Sequence, residues 1–345
     1  MTAQVGQARR TVAETLRTGR NYLDPALRAA VGSLPESMQR IVGHHFGWRD
    51  ANGAPVNEDQ GKAIRPTLVL LAGRAVGADP QQVLPAAVAV ELVHNFSLLH
   101  DDVMDGDLTR RHRPTAWSVF GAGPAILAGD ALLTLAAEVL TSSGHPAAMA
   151  GLKELNATVL DLVDGQSSDM AFERRSDVAL PECLTMVGSK TGALLGASCA
   201  LGASFGEADE ERVEHLRRFG FRLGLAFQLV DDVLGIWGDP AVTGKPVHSD
   251  LQNRKKSLPV VAALNSGTAA GRELAELYAD GRDMSEQDAV RAARLVSDSG
   301  ARDWSRTHIG TLEAEALHHL SAAAPESGPA TELTDLTHML TRRQH

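Results

Sequence analysis

Two acidic runs have a spacing that could do chemistry: Asp101-Asp102-Val103-Met104-Asp105 and Asp231-Asp232-Val233-Leu234-Gly235. Asp101 and Asp105 are four residues apart, so in a helix they share a face, about one turn apart, and can hold the same cation. Carboxylates so placed repel each other, and burial beside an apolar helix raises their pKa values unless a cation compensates. Oxygen-only ligation points to Mg²⁺ or Mn²⁺. A solvated acidic helix end is the plain alternative for either run alone. The second run follows the apolar stretch Ala226-Phe-Gln-Leu-Val230, where a solvated face would be odd. Mg²⁺ usually takes few carboxylates and completes its shell with phosphate oxygens, so two such clusters suggest a diphosphate ligand. On the aspartates alone, a phosphatase or a terpene cyclase fits equally well.

The basic residues narrow the chemistry. Arg110, Arg111 and Arg113 follow the first run closely, and guanidinium forks grip phosphate oxygens bidentately. In Gly61-Lys-Ala-Ile-Arg-Pro66, Lys62 and Arg65 are three apart at an expected helix start, which places them on one face. Lys190, Lys245, Lys255 and Lys256 are further candidates. Any one of these is more often a solvated charge. Taken together, two acidic sites and several basic ones imply two phosphorylated ligands.

The elements that must position these residues read as helices. Aromatic residues make up 4% of the chain, period-two alternation is scarce, and Ala, Leu, Glu and Arg recur at helical spacing. The fold expected is all-α, with roughly ten core helices between the Gly/Pro breaks. No linker-like block interrupts the 345 residues, so a single helical domain is expected. Pro85 to Met104 is apolar almost all round until Asp101 and must be a central helix; Val213 to Ile236 behaves likewise. A formal net charge of −10 argues against nucleic-acid binding. Cys183 and Cys199 are the only cysteines, so neither a disulfide framework nor a zinc site is suggested and a cytoplasmic setting fits. The basic N-terminus lacks the apolar core of a secretory signal, and apolar stretches such as Leu84 to Val93 are too short to span a bilayer, so no membrane insertion is expected.

With these residues in place, the chain resembles the trans-isoprenyl diphosphate synthases, the farnesyl and geranylgeranyl diphosphate synthase family. The resemblance covers about residues 61–261. DDVMD-GDLT-RRHRP reproduces that family's first aspartate motif, four-residue spacer and Arg pair, Arg110 and Arg111. Lys62 and Arg65 match its GGKRxRP segment, and His94 stands seven residues before Asp101 like its isopentenyl-diphosphate histidine. Lys190-Thr191, Phe227-Gln228, Gly244-Lys245 and Lys255 follow in family order. Four positions depart from the pattern: Gln60 and Ala63 in the first basic segment, His112 where Gly usually follows the Arg pair, and Gly235 where the second motif usually has a further carboxylate.

The resemblance implies a helical bundle around a central cavity and a homodimer. Three Mg²⁺ ions would be held by Asp101, Asp105 and Asp231, with Asp102, Asp232 or Asp239 in support, while Arg110, Lys190 and Lys245 neutralise the allylic diphosphate. Lys62, Arg65, His94 and Arg111 would hold isopentenyl diphosphate, and Lys255 would be a further substrate-binding residue. Thr191 and Gln228 would steady the allylic cation, and released diphosphate would take the proton. His100 is read as a core histidine. Phe96, five residues before Asp101, is where an aromatic limits the product pocket, which favours geranylgeranyl diphosphate over farnesyl diphosphate. A class I terpene cyclase, which needs no second diphosphate pocket, and an inactive subunit of a heteromeric synthase are the rival readings.

Overall fold

In the computed structural model, which describes residues 10–58, 61–239, 248–279, 282 and 284–342, helices carry 76% of the chain. The all-α expectation holds. The chain divides into two compact units: one comprises the chain up to Val159 with Ala197–Arg217 and Leu320–Asp335, the other Leu160–Gly196, Arg218–His319 and the chain from Leu336.

The first unit begins with α1 (Val12–Val31), whose start is fixed by a capping box: Glu14 N–H donates to Thr11 Oγ1 at 3.3 Å, and Thr11 N–H donates to Glu14 Oε2 at 2.8 Å. Its buried positions, Thr15, Gly19, Leu23, Leu27 and Val31, recur every fourth residue and form one stripe. After α2 (Glu36–His45) come α3 (Ile64–Ala75) and α4 (Pro80–Met104). The sequence places the start of α4 at Pro85. The helix begins a turn earlier because Asp79 caps it, accepting from Gln81 N–H at 2.8 Å, and Pro80 suits its first turn. Thirteen of its side chains are buried, among them Val88, Val90, Leu92 and Leu99, as all-round apolarity requires.

A two-residue hairpin, β1 (Thr109–Arg110) with β2 (Arg113–Pro114), and α5 (Ala116–Phe120) lead to α6 (Ala122–Thr141). Helices α3 and α6 both pack on α4. Small residues set the approach distances. A Cβ on Gly129 of α6 would collide with His100 of α4, and one on Gly73 of α3 would lie 2.6 Å from Val83. The later segments of this unit are bound by charge: Arg74 forks onto Glu332 with both contacts at 3.0 Å.

Helices α7 (Ala148–Glu173), α9 (Ala193–Phe205) and α10 (Glu210–Trp237) each have residues in both units. The second unit also contains α8 (Leu180–Val187), a π-helical turn Gly188–Gly192, and helices Ser249–Gln252, Leu258–Leu264, Ala269–Ala279 and Glu286–Asp298. Its core gathers Cys183, Met186, Val187, Ala226, Leu229, Leu258 and Val261 in one cluster.

Pro80–Met104 and Ala122–Thr141 are, as folded, long and apolar enough to cross a bilayer, contrary to the expectation from uninterrupted apolar runs. For α4 the reason is its central place, with 67% of the most apolar window buried; for α6 only 39% is buried, so that helix keeps an apolar face outward.

Candidate active site

In the first unit, the last turn of α4 separates its three aspartates. Asp101 is half-buried and Asp105 exposed, while Asp102 points inward at 1% exposure. Arg110 closes on Asp102, its Nη2 at 2.6 Å and Nε at 2.7 Å from Oδ1. Burial raises the Asp102 carboxyl above its ordinary pKa, and the Arg110 hydrogen bond opposes this. Asp102 is thereby a structural anchor for the hairpin. The outward pair, Asp101 and Asp105, stands at a helix C-terminus with no basic residue in its last turn, where the helix dipole favours a cation.

The residues assigned to the second diphosphate come together beside α4. Arg65 Nη1 lies 3.2 Å from His94 Nε2; a guanidinium can only donate, so His94 accepts there and is neutral. Burial first, and the charges of Arg65, Arg111 and Arg110 next, hold its pKa well below the usual value. The Arg111 guanidinium lies against Gly61: a Cβ on that glycine would be 2.5 Å from its Cζ. Lys62 is therefore next to this group, but not on a helix face shared with Arg65 as the spacing suggests. Gly61 (φ 80°) and Ala63 (φ 49°) are left-handed, which delays α3 to Ile64 and leaves Lys62 exposed before it.

Arg113 does not join this set. Its Nη1 and Nη2 donate to the carbonyls of His44 and His45 at 2.8 and 3.1 Å, closing the C-terminus of α2. Between β1 and β2, Arg111 (φ 50°) and His112 (φ 61°) form a two-residue turn with both residues left-handed. This explains why glycine suits position 112.

Sequence reasoning missed four residues here. Arg20 of α1 donates to the Gly61 carbonyl. His45 Nε2 donates to Asn95 Oδ1 at 3.1 Å, and Asn95 Nδ2 donates to Glu91 Oε1 at 3.0 Å. Burial pushes Glu91 above its ordinary pKa, and the Asn95 hydrogen bond opposes this. His45 is held down to about 3 by burial and by Arg110 and Arg111. His100, expected in the core, is half-buried instead: Nε2 donates to the Ile126 carbonyl at 3.0 Å, and its ring meets Phe96 edge-on with centroids 4.9 Å apart. Phe96 is buried.

The second unit repeats the division of labour. Asp231 is half-buried, whereas Asp232 is buried, accepting from Gln228 Nε2 at 2.9 Å and from the Leu258 N–H at 3.0 Å. It thus caps the helix Leu258–Leu264, and desolvation raises its pKa. Thr191 Oγ1 donates to Gln228 Oε1 at 2.9 Å, so the two polar residues assigned to the cation are joined. The π turn that carries Lys190 and Thr191 is admitted by glycines: a Cβ on Gly165 would be 2.6 Å from Lys190 N, and one on Gly224 2.8 Å from Gly192 Cα.

Lys190 Nζ is 2.6 Å from Asp169 Oδ2, a partner not evident from the sequence. Gln166, one turn before Asp169, is buried with neither amide atom hydrogen-bonded. The Gly165-Gln-Ser-Ser-Asp169 spacing was the available signal. Lys255 is half-buried, and its charge favours the ionised form of Asp232. Lys256 turns inward, donating to the Phe172 carbonyl at 3.2 Å, and is no longer a phosphate candidate. Lys245 lies outside the described residues. Among the described residues no three His, Cys, Asp or Glu side chains gather as a complete metal site. The carboxylates of Asp101, Asp105 and Asp231, half-buried or exposed, are the donor type that fits a hard cation whose shell is completed by substrate oxygens.

Helices throughout, outward aspartates on two of them and a separate arginine–histidine pocket define an enzyme that handles diphosphates. The chain belongs to the polyprenyl synthetase family, whose sequence profile matches residues 52–296. It is a chain-elongating trans-prenyltransferase. It is 45% identical over 339 residues to a (2E,6E)-farnesyl diphosphate synthase of Mycobacterium tuberculosis, covering 97% of this chain and 94% of that protein. It is 44% identical over 331 residues to a geranylgeranyl diphosphate synthase of the same organism, covering 95% and 93%. The crystal structure of a polyprenyl synthetase from Streptomyces coelicolor A3(2) superposes with a TM-score of 0.92 at 46% identity, covering 95% of this chain and 99% of that one.

Two outcomes follow from this geometry. His112→Gly should stabilise the protein by about 1 kcal/mol, the left-handed strain outweighing the greater unfolded-state freedom of glycine. It would show as a higher urea midpoint with unchanged slope, and an unchanged or lower midpoint refutes the strain. For His45, the unfolded chain takes up a proton near pH 6.5, but the folded one only near 3. The stability this residue contributes is complete above about pH 6.5 and is lost as the pH falls from there toward 3. In urea titrations from pH 7 to 4, His45→Gln should therefore lose less stability than the parent; parallel curves would show that His45 does not titrate in this way.

Proposed function

We propose that this chain condenses isopentenyl diphosphate with allylic diphosphates and that its main product is geranylgeranyl diphosphate. The observation that carries the condensation is on α4: His94, gripped by Arg65, stands two turns before Asp101. At 1.5 Å per residue that separation is about 10 Å, which suits an acceptor diphosphate and a metal-bound donor diphosphate held apart. A cyclase has no use for the first of these.

Lys62, Arg65 and Arg111 bind isopentenyl diphosphate, with neutral His94 fixing the Arg65 fork. Lys255, whose charge acts on Asp232, is a further substrate-binding residue. Asp101, Asp105 and Asp231 would hold Mg²⁺, three ions in all, whose charge makes the allylic diphosphate a better leaving group. Arg110, Lys190 and Lys245 neutralise that diphosphate further. The linked Thr191 and Gln228 dipoles steady positive charge on the allylic carbons. Isopentenyl diphosphate contributes its double bond through position, and the departing diphosphate accepts the proton that restores an alkene.

Phe96, buried against His100 on α4 between His94 and Asp101, is the bulky side chain that supports the twenty-carbon reading. Extracts from incubations with isopentenyl diphosphate and each of dimethylallyl, geranyl and farnesyl diphosphate should contain mainly the C20 diphosphate, and none after chelation of Mg²⁺. Phe96→Ala should shift products by at least one isoprene unit, about one helical turn of pocket depth. A parent enzyme stopping at C15, or an unshifted variant, sinks the chain-length reading. A hydrocarbon formed from geranylgeranyl diphosphate alone sinks the condensation.

A second copy of the chain supplies cover for apolar side chains left outward. Ile126 and Leu127 on α6 are 42% and 58% exposed, and on α7 Leu160, Val163 and Met170 are 70%, 54% and 41% exposed. The reading is a cytoplasmic homodimer with no membrane insertion, supported also by buried thiols, Cys183 and Cys199, whose pKa values burial pushes up. Sedimentation should give a dimer that does not float with liposomes; a monomer, or flotation, refutes this part.

A further inference from the structure

The second unit holds a pocket of about 450 Å³ that the condensation does not use. Its size is within the range of small-molecule sites, about 300–1,000 Å³. Its walls come from α7, α8, α10 and the helix Ala301–Ala322. Gly188 and Ser189 of the π turn, with Ala193 just after it, close one side.

The lining divides into an apolar wall and a polar rim. Leu184, Phe221, Leu225 and Leu312 form the wall, while Asp161, Arg222, His308 and Glu315 form the rim. Arg222 Nε is 3.0 Å from Glu315 Oε2, so those two charges offset each other. Asp161 is exposed, and no cationic side chain pairs with it among the described residues. His308 stacks on Trp304 with ring centroids 5.1 Å apart; burial, opposed by Glu315, holds its pKa below the usual value, so it adds no positive charge. The pocket therefore presents one net negative charge beside an apolar wall, the complement of a monocation with an apolar body.

The pocket also touches the turn that carries two residues assigned to the reaction. The Phe221 ring packs on that turn: a Cβ on Gly188 or on Gly192 would lie 3.0 Å from it. Lys190 and Thr191, between Ser189 and Ala193, reach Asp169 at 2.6 Å and Gln228 at 2.9 Å. In a close-packed interior, a guest that displaces Phe221 moves the turn, and the turn carries Lys190 and Thr191 with it.

We propose that this pocket is a regulatory site for a small amphipathic amine, one ammonium group on an apolar body, and that filling it slows turnover through the π turn. The regulatory effect rests on the roles given above to Lys190 and Thr191, whereas the binding does not.

The probe is phenylbutylamine, with phenylbutanol and phenylbutyrate as its neutral and anionic counterparts. Calorimetry is run on the full chain loaded with Mg²⁺ and geranyl thiolodiphosphate, an unreactive allylic analogue that keeps the active site filled. Phenylbutylamine should still bind, phenylbutanol about fivefold more weakly, and phenylbutyrate more weakly again. Asp161→Lys should weaken phenylbutylamine binding about tenfold. Thr185→Trp, which fills the pocket from an exposed position on α8, should abolish it. Both variants should turn over at the parent's rate without the amine. In the parent, phenylbutylamine should lower kcat and leave the KM of both diphosphates unchanged. The site is overturned by no binding up to millimolar concentration, by binding lost when the analogue is present, or by binding unaltered in both variants. Binding with kcat unchanged overturns the regulatory role. If Lys190→Ala and Thr191→Ala leave turnover unchanged, the roles given to those residues fall, while the two binding variants still decide the pocket.

Discussion

A helix apolar on every face has to be buried, and burying α4 carries its aspartates part of the way in. Asp102, the most buried of them, cannot stay ionised there without a cation, and Arg110 supplies it at 2.6 Å. Because Arg110 lies on a hairpin strand, the ion pair fixes the hairpin. The tight turn of the hairpin then forces Arg111 into the left-handed region, from which its guanidinium reaches Gly61. Gly61 in turn must lack a side chain and take a positive φ. One buried carboxylate therefore determines the position of a guanidinium assigned to the substrate, through covalent geometry and packing alone.

The second unit meets the same difficulty with different chemistry. Asp232 is as buried as Asp102, but its charge is met by a backbone N–H at the start of Leu258–Leu264 and by Gln228. Gln228 is held in turn by Thr191, which can reach it because a π turn shifts the register of that helix. Neighbouring residues on a helix point roughly 100° apart. In each Asp-Asp pair the first residue can therefore face outward to act on a ligand while the second anchors the structure.

The sequence makes the helices legible where composition alone decides. α4 declares itself by unbroken apolarity, and the four-residue spacing of Asp101 and Asp105 survives in the structure. Roles set by contacts distant in sequence are not legible. Arg20 meets Gly61 across 41 residues, and Lys190 meets Asp169 across 21. Lys255 and Lys256 are adjacent and chemically alike, yet only burial distinguishes them, and Arg113 reads like its neighbours until α2 is seen to need a cap. The two-unit division is illegible for a related reason: its boundaries lie within helices such as α7 and α10, so no linker composition marks them.

The histidines complete the electrostatic argument. His45 is buried and His94 half-buried; desolvation and the charges of Arg110 and Arg111 keep both neutral, with Arg65 acting on His94 as well. A protonated His94 could not accept from Arg65, so its neutrality is a condition of the geometry. The positive charge in this cluster is then carried by guanidinium groups. The imidazoles supply direction to that charge without adding to it. Several arginines can pack close together here because the imidazoles between them carry no charge.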